Sequence, residues 1–119
     1  MALLTRQQIE SADDLQTQDV DVPEWGGTVR IRPLTGRERD RLESSLMGTN
    51  GKVSTSKLAL FRARVAAMCM IDEDGERLFG DADVEVLGAK SAAALHRVAE
   101  AAQKLSGLSK EDVEDLTGE

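Results

Sequence analysis

The sequence predicts an α+β fold that is mainly helical, with an N-terminal β-hairpin, about four to five helices and a second short hairpin near residues 71–79. Three observations support this fold class. Aromatic residues are scarce, with two Phe, one Trp and no Tyr, so the core depends on aliphatic residues and Met, which favours helices. Residues Thr28 to Arg32 alternate between polar and apolar, as in a half-buried strand. Segments 57–71 and 91–105 instead repeat apolar residues at helical spacing.

The length of 119 residues indicates a single domain. We expect residues 1–16 to form a flexible N-terminal arm, because their apolar residues show no sustained periodicity. Residues 17–108 should form one globular domain of hairpin plus helices, and residues 109–119 an acidic C-terminal tail that is partly helical. The single cysteine, Cys69, excludes an internal disulfide, and no apolar run reaches the roughly 20 residues of a membrane span.

The hairpin is predicted from two alternating stretches joined by the turn Pro-Glu-Trp-Gly-Gly, which contains Trp25. Four apolar residues should point inward: Val20, Val22, Val29 and Ile31. On the opposite face we expect Asp19 and Asp21 to face Arg30 and Arg32 across the strands.

Two helices should follow the hairpin. Thr35 and Glu38 have the T-x-x-E spacing of a capping box, which predicts a surface helix with Leu42 and Leu46 on its apolar side. Segment 57–71 is the candidate core helix, with a broad apolar stripe formed by Leu58, Phe61, Val65 and Met68 and widened by Leu60, Ala67 and Ile71.

Turn and helix-capping residues predict where the remaining elements begin and end. Asp74 and Gly75 predict the turn of the second hairpin, and a short helix should end at Gly88. The last helix should be capped by Ser91 and stopped at Gly107, where the following leucine folds back in a Schellman ending. Its apolar stripe consists of Leu95, Val98, Ala102 and Leu105.

Charge is segregated along the chain, whose net charge is −7. Residues 1–27 carry one Arg against six acids, residues 28–64 nine basic residues against three acids, and residues 65–119 five basic residues against thirteen acids. A basic middle between acidic ends can satisfy itself within the fold or between neighbouring copies. A pI near 4.7 and the lack of basic-aromatic interleaving argue against a nucleic-acid partner.

Candidate chemical sites each have a simpler structural interpretation. Asp72, Asp74 and Asp81 fit part of a calcium-binding loop, but Met70 would fill the first ligand position and a thioether does not bind calcium. Asp81, Asp83 and Glu85 could hold magnesium, although helix capping explains the first two.

Catalytic motifs also point away from an enzyme. His96 is the only histidine, and Cys69 lies among apolar neighbours as a small core residue would. No nucleophile elbow, phosphate loop or dinucleotide fingerprint is present. We therefore expect a non-enzymatic domain without metal or cofactor, whose work is binding.

Three motifs carry a resemblance to a known family. They are the Trp-Gly-Gly turn leading into Arg-x-Leu-Thr-Gly-x-Glu-Arg at residues 32–39, the Ile-Asp-Glu-Asp-Gly-x-x-Leu-Phe hairpin at residues 71–79, and the Leu-Ser-Gly-Leu ending at residues 105–108. In this order and spacing the sequence resembles the tail assembly chaperones of long-tailed, siphovirus-type bacteriophages and prophages. The likeness extends from about Asp13 onward and corresponds to the short, non-frameshifted form.

The resemblance implies a function and partners. Such a chaperone binds and solubilises the aggregation-prone tape measure protein and promotes polymerisation of the tail tube around it. It acts as many copies in the host bacterial cytoplasm and is absent from the mature virion. A longer frameshifted form is implied to recruit the tail-tube protein. A homo-oligomer is expected, with neither nucleic acid nor membrane as partner.

Residues for partner binding are proposed at two places. Trp25 is either an exposed contact anchor or a cover for the end of the hairpin, and Arg30 and Arg32 are candidates for self-assembly. The client is expected at the last helix and tail, through Leu95, Val98, Ala102, Leu105, Val113 and Leu116. The alternative is that the helical stripe simply packs on the core helix.

Two other functions remain open from the sequence. The chain could be a small acidic regulatory or interaction module of a phage or prophage that binds another protein. A metal-dependent enzyme using the carboxylates between Asp72 and Glu85 is the third hypothesis.

Overall fold

The computed structural model describes residues 2–46 and 60–108. In that part of the chain it has five α-helices and one antiparallel sheet of strand order β1-β2-β3. The helices are α1 Arg6–Ser11, α2 Gly36–Leu46, α3 Phe61–Cys69, α4 Val84–Gly88 and α5 Ala92–Leu105. The strands are β1 Gln18–Val22, β2 Gly27–Ile31 and β3 Met70–Ile71. The predicted α+β class with an N-terminal hairpin is confirmed. None of the described helices could cross a membrane.

The β1–β2 hairpin has the predicted inward face. Val20 lies opposite Val29, and Val22 and Ile31 are fully buried. The connection is a single 3₁₀ turn, Pro23–Trp25, followed by Gly26 at φ +72°. Glycine adopts this left-handed conformation without strain because it has no Cβ. Gly26 can therefore end the turn and lead the chain into β2.

One cross-strand pair differs from the prediction. Asp19 faces Arg30 as expected, but Asp21 lies opposite Thr28 and accepts a hydrogen bond from its hydroxyl at 3.0 Å. Arg32 falls one residue beyond the last paired residue of β2, so it is out of reach of β1. Instead it turns toward α2, which begins only four residues later.

The third strand was not predicted. The core helix was expected to continue through Ile71, yet α3 ends at Cys69 and the next two residues pair with Arg30 and Ile31 of β2. The apolar residues at 70 and 71 fit a buried strand as well as a buried helix, because periodicity alone does not separate the two. The predicted start of this helix, including Leu58, lies outside the described residues.

The second hairpin forms where it was expected. The Asp72 amide donates a hydrogen bond to the Glu76 carbonyl at 2.8 Å, and Gly75 occupies the left-handed region at φ +85°. Ile71 forms a bridge with Arg77, which carries the chain back along β3. The predicted Asp-Gly turn is therefore confirmed.

The core is centred on α3, in which seven of nine residues are buried. Apart from Arg62 and Arg64 near its start, the helix is apolar, and a helix that is apolar on most sides belongs in the middle of a fold. It packs against α5 and α4, and α5 also contacts β1. The buried residues contributed by α5 are Ala94, Leu95, Val98, Ala99 and Ala102.

Both ends of α5 have the predicted caps. The Ser91 hydroxyl accepts a hydrogen bond from the Ala94 amide at 3.2 Å. At the other end, Gly107 has φ +77° and the Leu108 amide donates to the Gln103 carbonyl at 2.8 Å. This is the Schellman arrangement, and Leu108 is buried against the core.

Candidate binding surface

The apolar stripe of α5 lies in the core. Leu95 is 6% exposed, and Val98 and Ala102 are 0% exposed. They belong to the same buried cluster as the residues of α3, which corresponds to the alternative interpretation of the stripe. In this arrangement these three side chains offer no apolar surface to a partner.

Leu105, the last residue of the stripe, is half-buried beside a shallow pocket of about 320 Å³. The pocket lies where the arm passes the β2–α2 connection, and its lining includes Leu15, Leu34 and Ser106. Leu105 therefore differs from Leu95, Val98 and Ala102 in being partly exposed. The two tail residues assigned to the client, Val113 and Leu116, lie outside the described residues.

The outward face of α5 is polar. Glu100 pairs with His96 at 2.8 Å and with Lys104 at 3.2 Å, both one turn away on the same helix. A groove of about 390 Å³ lies between this face of α5 and β1, and β1 contributes Gln18 and Asp21 to its lining. Charged side chains dominate the groove, so it does not match the apolar groove that was expected for a client helix.

Trp25 is half-buried and packs against the core at the hairpin turn. Its neighbour Glu24 forms an ion pair with Arg97 of α5 at 3.0 Å. A hydrogen bond from its own backbone lowers the pKa of Glu24, and Arg97 adds to this effect. The turn is thus joined to α5 by the Glu24–Arg97 ion pair, and Trp25 covers its core-facing side. This corresponds to the interpretation of Trp25 as a cover for the end of the hairpin.

Arg30 is exposed and forms an ion pair with Asp19, which lies opposite it on β1. Its guanidinium donates two hydrogen bonds to Asp19, at 2.8 and 3.3 Å. The hydrogen bond from Arg30 lowers the pKa of Asp19. Because both side chains are open to water, this pair is screened by salt and contributes little to stability.

Arg32 lies in a more protected place, between β2 and α2. Its guanidinium donates to both carboxylate oxygens of Glu38, at 2.7 and 2.8 Å, and the two side chains are 17% and 13% exposed. The same carboxylate accepts the Thr35 amide at 3.0 Å, while the Thr35 hydroxyl accepts the Glu38 amide at 3.1 Å. The predicted capping box is confirmed, and the arginine completes it.

The electrostatics of Glu38 follow from these contacts. Burial by itself would raise the pKa of this carboxyl, but hydrogen bonds from Arg32 and Thr35 outweigh it and lower the pKa to about 2. Glu38 is therefore ionised at any physiological pH. Arg32 therefore has a structural role, because its guanidinium is engaged by both carboxylate oxygens of Glu38.

Ser106 joins the C-terminus of α5 to this connection, a contact that sequence reasoning missed. Its hydroxyl accepts a hydrogen bond from the Leu34 amide at 2.8 Å and donates one to the Ala102 carbonyl at 2.7 Å. The serine is part of the Leu-Ser-Gly-Leu ending, but helix-ending patterns do not reveal a partner 72 residues away.

The N-terminal arm, expected as a flexible segment, contains the capped helix α1, whose cap was not predicted from the sequence. Thr5 and Gln8 form a full capping box at the start of α1, and Arg6 pairs with Glu10 at 2.7 Å. None of the residues in α1 is buried. Three large apolar side chains of the arm lie almost entirely in solvent: Leu3 at 92%, Leu4 at 71% and Ile9 at 61% exposure. The T-x-x-Q spacing was the available signal for this helix.

Opposite charges lie on two exposed elements. The surface of α2 presents Arg37, Arg39 and Arg41, whereas the loop 72–76 and the following turn are acidic. Asp81 connects the two regions, with Arg77 at 3.0 Å and Arg41 at 3.9 Å. Part of the charge segregation is thus satisfied within the chain.

The candidate chemical groups have structural roles. The Asp72 carboxylate accepts the amides of Asp74 and Glu76, at 2.8 and 3.0 Å, and so holds the hairpin turn. Burial raises the pKa of the Cys69 thiol to about 12. Within residues 2–46 and 60–108 no cluster of three His, Cys, Asp or Glu side chains could hold a metal ion.

These features define a small α+β domain with a closed core, an exposed apolar arm and a surface divided by charge. The chain belongs to the phage tail assembly chaperone family, whose model matches residues 6–118. The expected resemblance is confirmed.

A solved structure of the bacteriophage HK97 tail assembly chaperone has the same fold. It superimposes with a TM-score of 0.61 at 19% sequence identity, covering 83% of this chain and 94% of that chain. At this identity the likeness concerns the fold. No curated protein sequence matches the chain.

Proposed function

We propose that the chain is a non-enzymatic chaperone that binds and solubilises the phage tape measure protein and promotes polymerisation of the tail tube around it. The observation that carries the proposal is the match of the tail assembly chaperone family to residues 6–118. In this proposal the chain acts in the host bacterial cytoplasm and is absent from the mature virion. Contact with the tail-tube protein is assigned mainly to a longer frameshifted form.

The surface chemistry supports a protein client. The core buries the apolar stripes of α3 and α5, and large apolar side chains remain exposed mainly at the N-terminal arm. A chaperone for an aggregation-prone helical protein needs such accessible apolar groups, because they cover the apolar faces that would otherwise associate.

Self-association of several copies belongs to the same proposal. The basic surface of α2 and the acidic hairpin loop 72–76 are of opposite sign and face solvent on different elements. Complementary surfaces of this kind steer copies together and weaken as salt rises. Arg30 and Asp19 add an exposed pair whose partners could be exchanged between copies.

Co-expression tests the proposed function. The tape measure protein of the same phage is produced in a bacterial host alone, with this chain, and with an unrelated acidic protein of similar size. We expect the chain, and not the control, to move the tape measure protein from the pellet to the soluble fraction and to co-purify with it. Equal soluble yields in all three cultures would overturn the proposal.

A further inference from the structure

We infer that the N-terminal arm, residues 2–16, is the element that docks the client, and that it fits a helix whose apolar stripe is flanked by basic residues. The inference rests on the proposed function, since it assigns the tape measure protein to a particular surface. It departs from the expectation that the stripe of α5 holds the client.

Helix α1 is stabilised by interactions within the arm, because none of its residues is buried in the core. A helix of six residues is far too short to be stable on its own, because nucleation costs more than its few hydrogen bonds return. Here it is held by the reciprocal capping box of Thr5 and Gln8 and by the Arg6–Glu10 ion pair. Local interactions thus favour the helical form of a segment that buries none of its own residues, which reduces the entropy lost when a partner binds.

The placement of the apolar side chains of the arm also supports a docking role. Leu4 precedes the cap residue Thr5 and Ile9 is the fourth residue of α1, the positions of a hydrophobic staple. With Leu3 they form the most exposed apolar group among the described residues. A partner helix could cover them, as anchors of an amphipathic contact.

The negative charge of the arm indicates which kind of partner helix it binds. The second half of the arm carries Glu10, Asp13 and Asp14, all exposed. Leu15 of the arm is also exposed, at 38%. Outside the arm, the exposed large apolar residues of the described chain are Leu78 and Val86, which have acidic residues near them in the sequence. Among the described residues, the basic surface of α2 presents no exposed large apolar side chain, so a second copy offers the arm basic charge or apolar cover but not both. A client helix with an apolar stripe and basic flanks offers both.

The test uses the full-length chain and the co-expressed tape measure protein. The double variant Leu4→Ser with Ile9→Ser removes the apolar contacts, and Leu78→Ser with Val86→Ser is the matched control at comparable exposure. We expect the arm variant to reduce the soluble tape measure protein by about fivefold or more and the control to change it by less than about twofold. The arm variant should keep the melting temperature of the wild type, because α1 contributes no buried residue.

The acidic flank is tested with Asp13→Lys combined with Asp14→Lys, which should lower client recovery and reverse its salt dependence. Rescue by the wild type together with equal rescue by the arm variants would overturn the arm assignment and leave the chaperone function intact. An arm variant that changes the oligomeric mass in light scattering, but not client recovery, would show that the arm docks a second copy and would also overturn it. Failure of the wild type itself would overturn both.

Discussion

Arg32 and Glu38 form a two-pronged ion pair at the point where the hairpin passes into α2, with N–O distances of 2.7 and 2.8 Å. The pair lies mostly out of solvent and shares its carboxylate with the capping box of Thr35. A bidentate arrangement of this kind fixes the direction of the chain as well as its charge. The connection between sheet and helix is therefore rigid at its first residue.

The first prediction concerns stability and pH. The pKa of Glu38 is lowered from 4.5 to about 2, so the carboxylate stabilises the folded state at any pH above about 4.5, and this contribution is lost as the pH falls toward 2. The full shift corresponds to about 3 kcal/mol, which partial solvent access reduces to about 1–2 kcal/mol. Glu38→Gln should lower the free energy of unfolding by that amount at pH 7, measured by urea denaturation.

Glutamine can still accept the Thr35 amide, so the variant isolates the charge from the cap. Glu43→Gln is the control, since Glu43 pairs with Arg39 at 3.4 Å in an exposed position and should matter little. The gap between wild type and Glu38→Gln should narrow steadily below pH 4.5. A gap that stays constant down to pH 2.5 would contradict the assigned role.

The second prediction concerns the contact between α5 and the β2–α2 connection. Ser106→Ala removes the acceptor of the Leu34 amide and should cost about 1–2 kcal/mol, because a partly buried donor loses its partner. Ser44→Ala, at an exposed position of α2, is the control and should be near neutral or slightly stabilising. Equal stability of the two variants in thermal unfolding would show that the hydrogen bond contributes nothing.

The third prediction separates the two interpretations of Trp25. As a cover for the hairpin end it contributes buried apolar area, so Trp25→Ala should lower the free energy of unfolding by about 1–3 kcal/mol and Trp25→Phe by less. Denaturant unfolding monitored by circular dichroism gives both values. Unchanged stability of Trp25→Ala combined with loss of oligomers would instead identify a contact anchor.

The fourth prediction concerns the close packing of α4 on the residue before α3. A Cβ at Gly88 would overlap the side chain of Leu60, which itself holds a left-handed backbone at φ +69°. Only a terminal methyl of Leu60 has to move, so Gly88→Ala should cost at most about 1 kcal/mol net of its better helix propensity. In a Leu60→Ala background the same change should be close to neutral, and additive effects in this double-mutant cycle would contradict the contact.

The local elements could be predicted because their signals are local. The inward face of each hairpin strand, the Thr35–Glu38 cap, the Asp74–Gly75 turn and the Schellman ending at Gly107 each depend on residues within a few positions of one another. Side-chain type and spacing suffice for such features.

Features that depend on distant residues could not be predicted. The β3 strand at residues 70–71 forms because the free edge of β2 pairs with it. An apolar run in the sequence does not show that such an edge lies nearby in the fold. The contact of Ser106 with Leu34 has the same origin. The burial of the α5 stripe could not be predicted for a related reason, since an apolar stripe looks the same in the sequence whether its partner is the core or a client.

Hydrogen exchange of the chain with and without the tape measure protein tests the central claim most directly, because amide protection reports which segment the client covers. We expect new protection in residues 3–11 and unchanged exchange in α5, where Val98 and Ala102 stay in the core. A client that left the arm unprotected and altered the exchange of α5 would contradict it, because the stripe would then have to leave the core to bind.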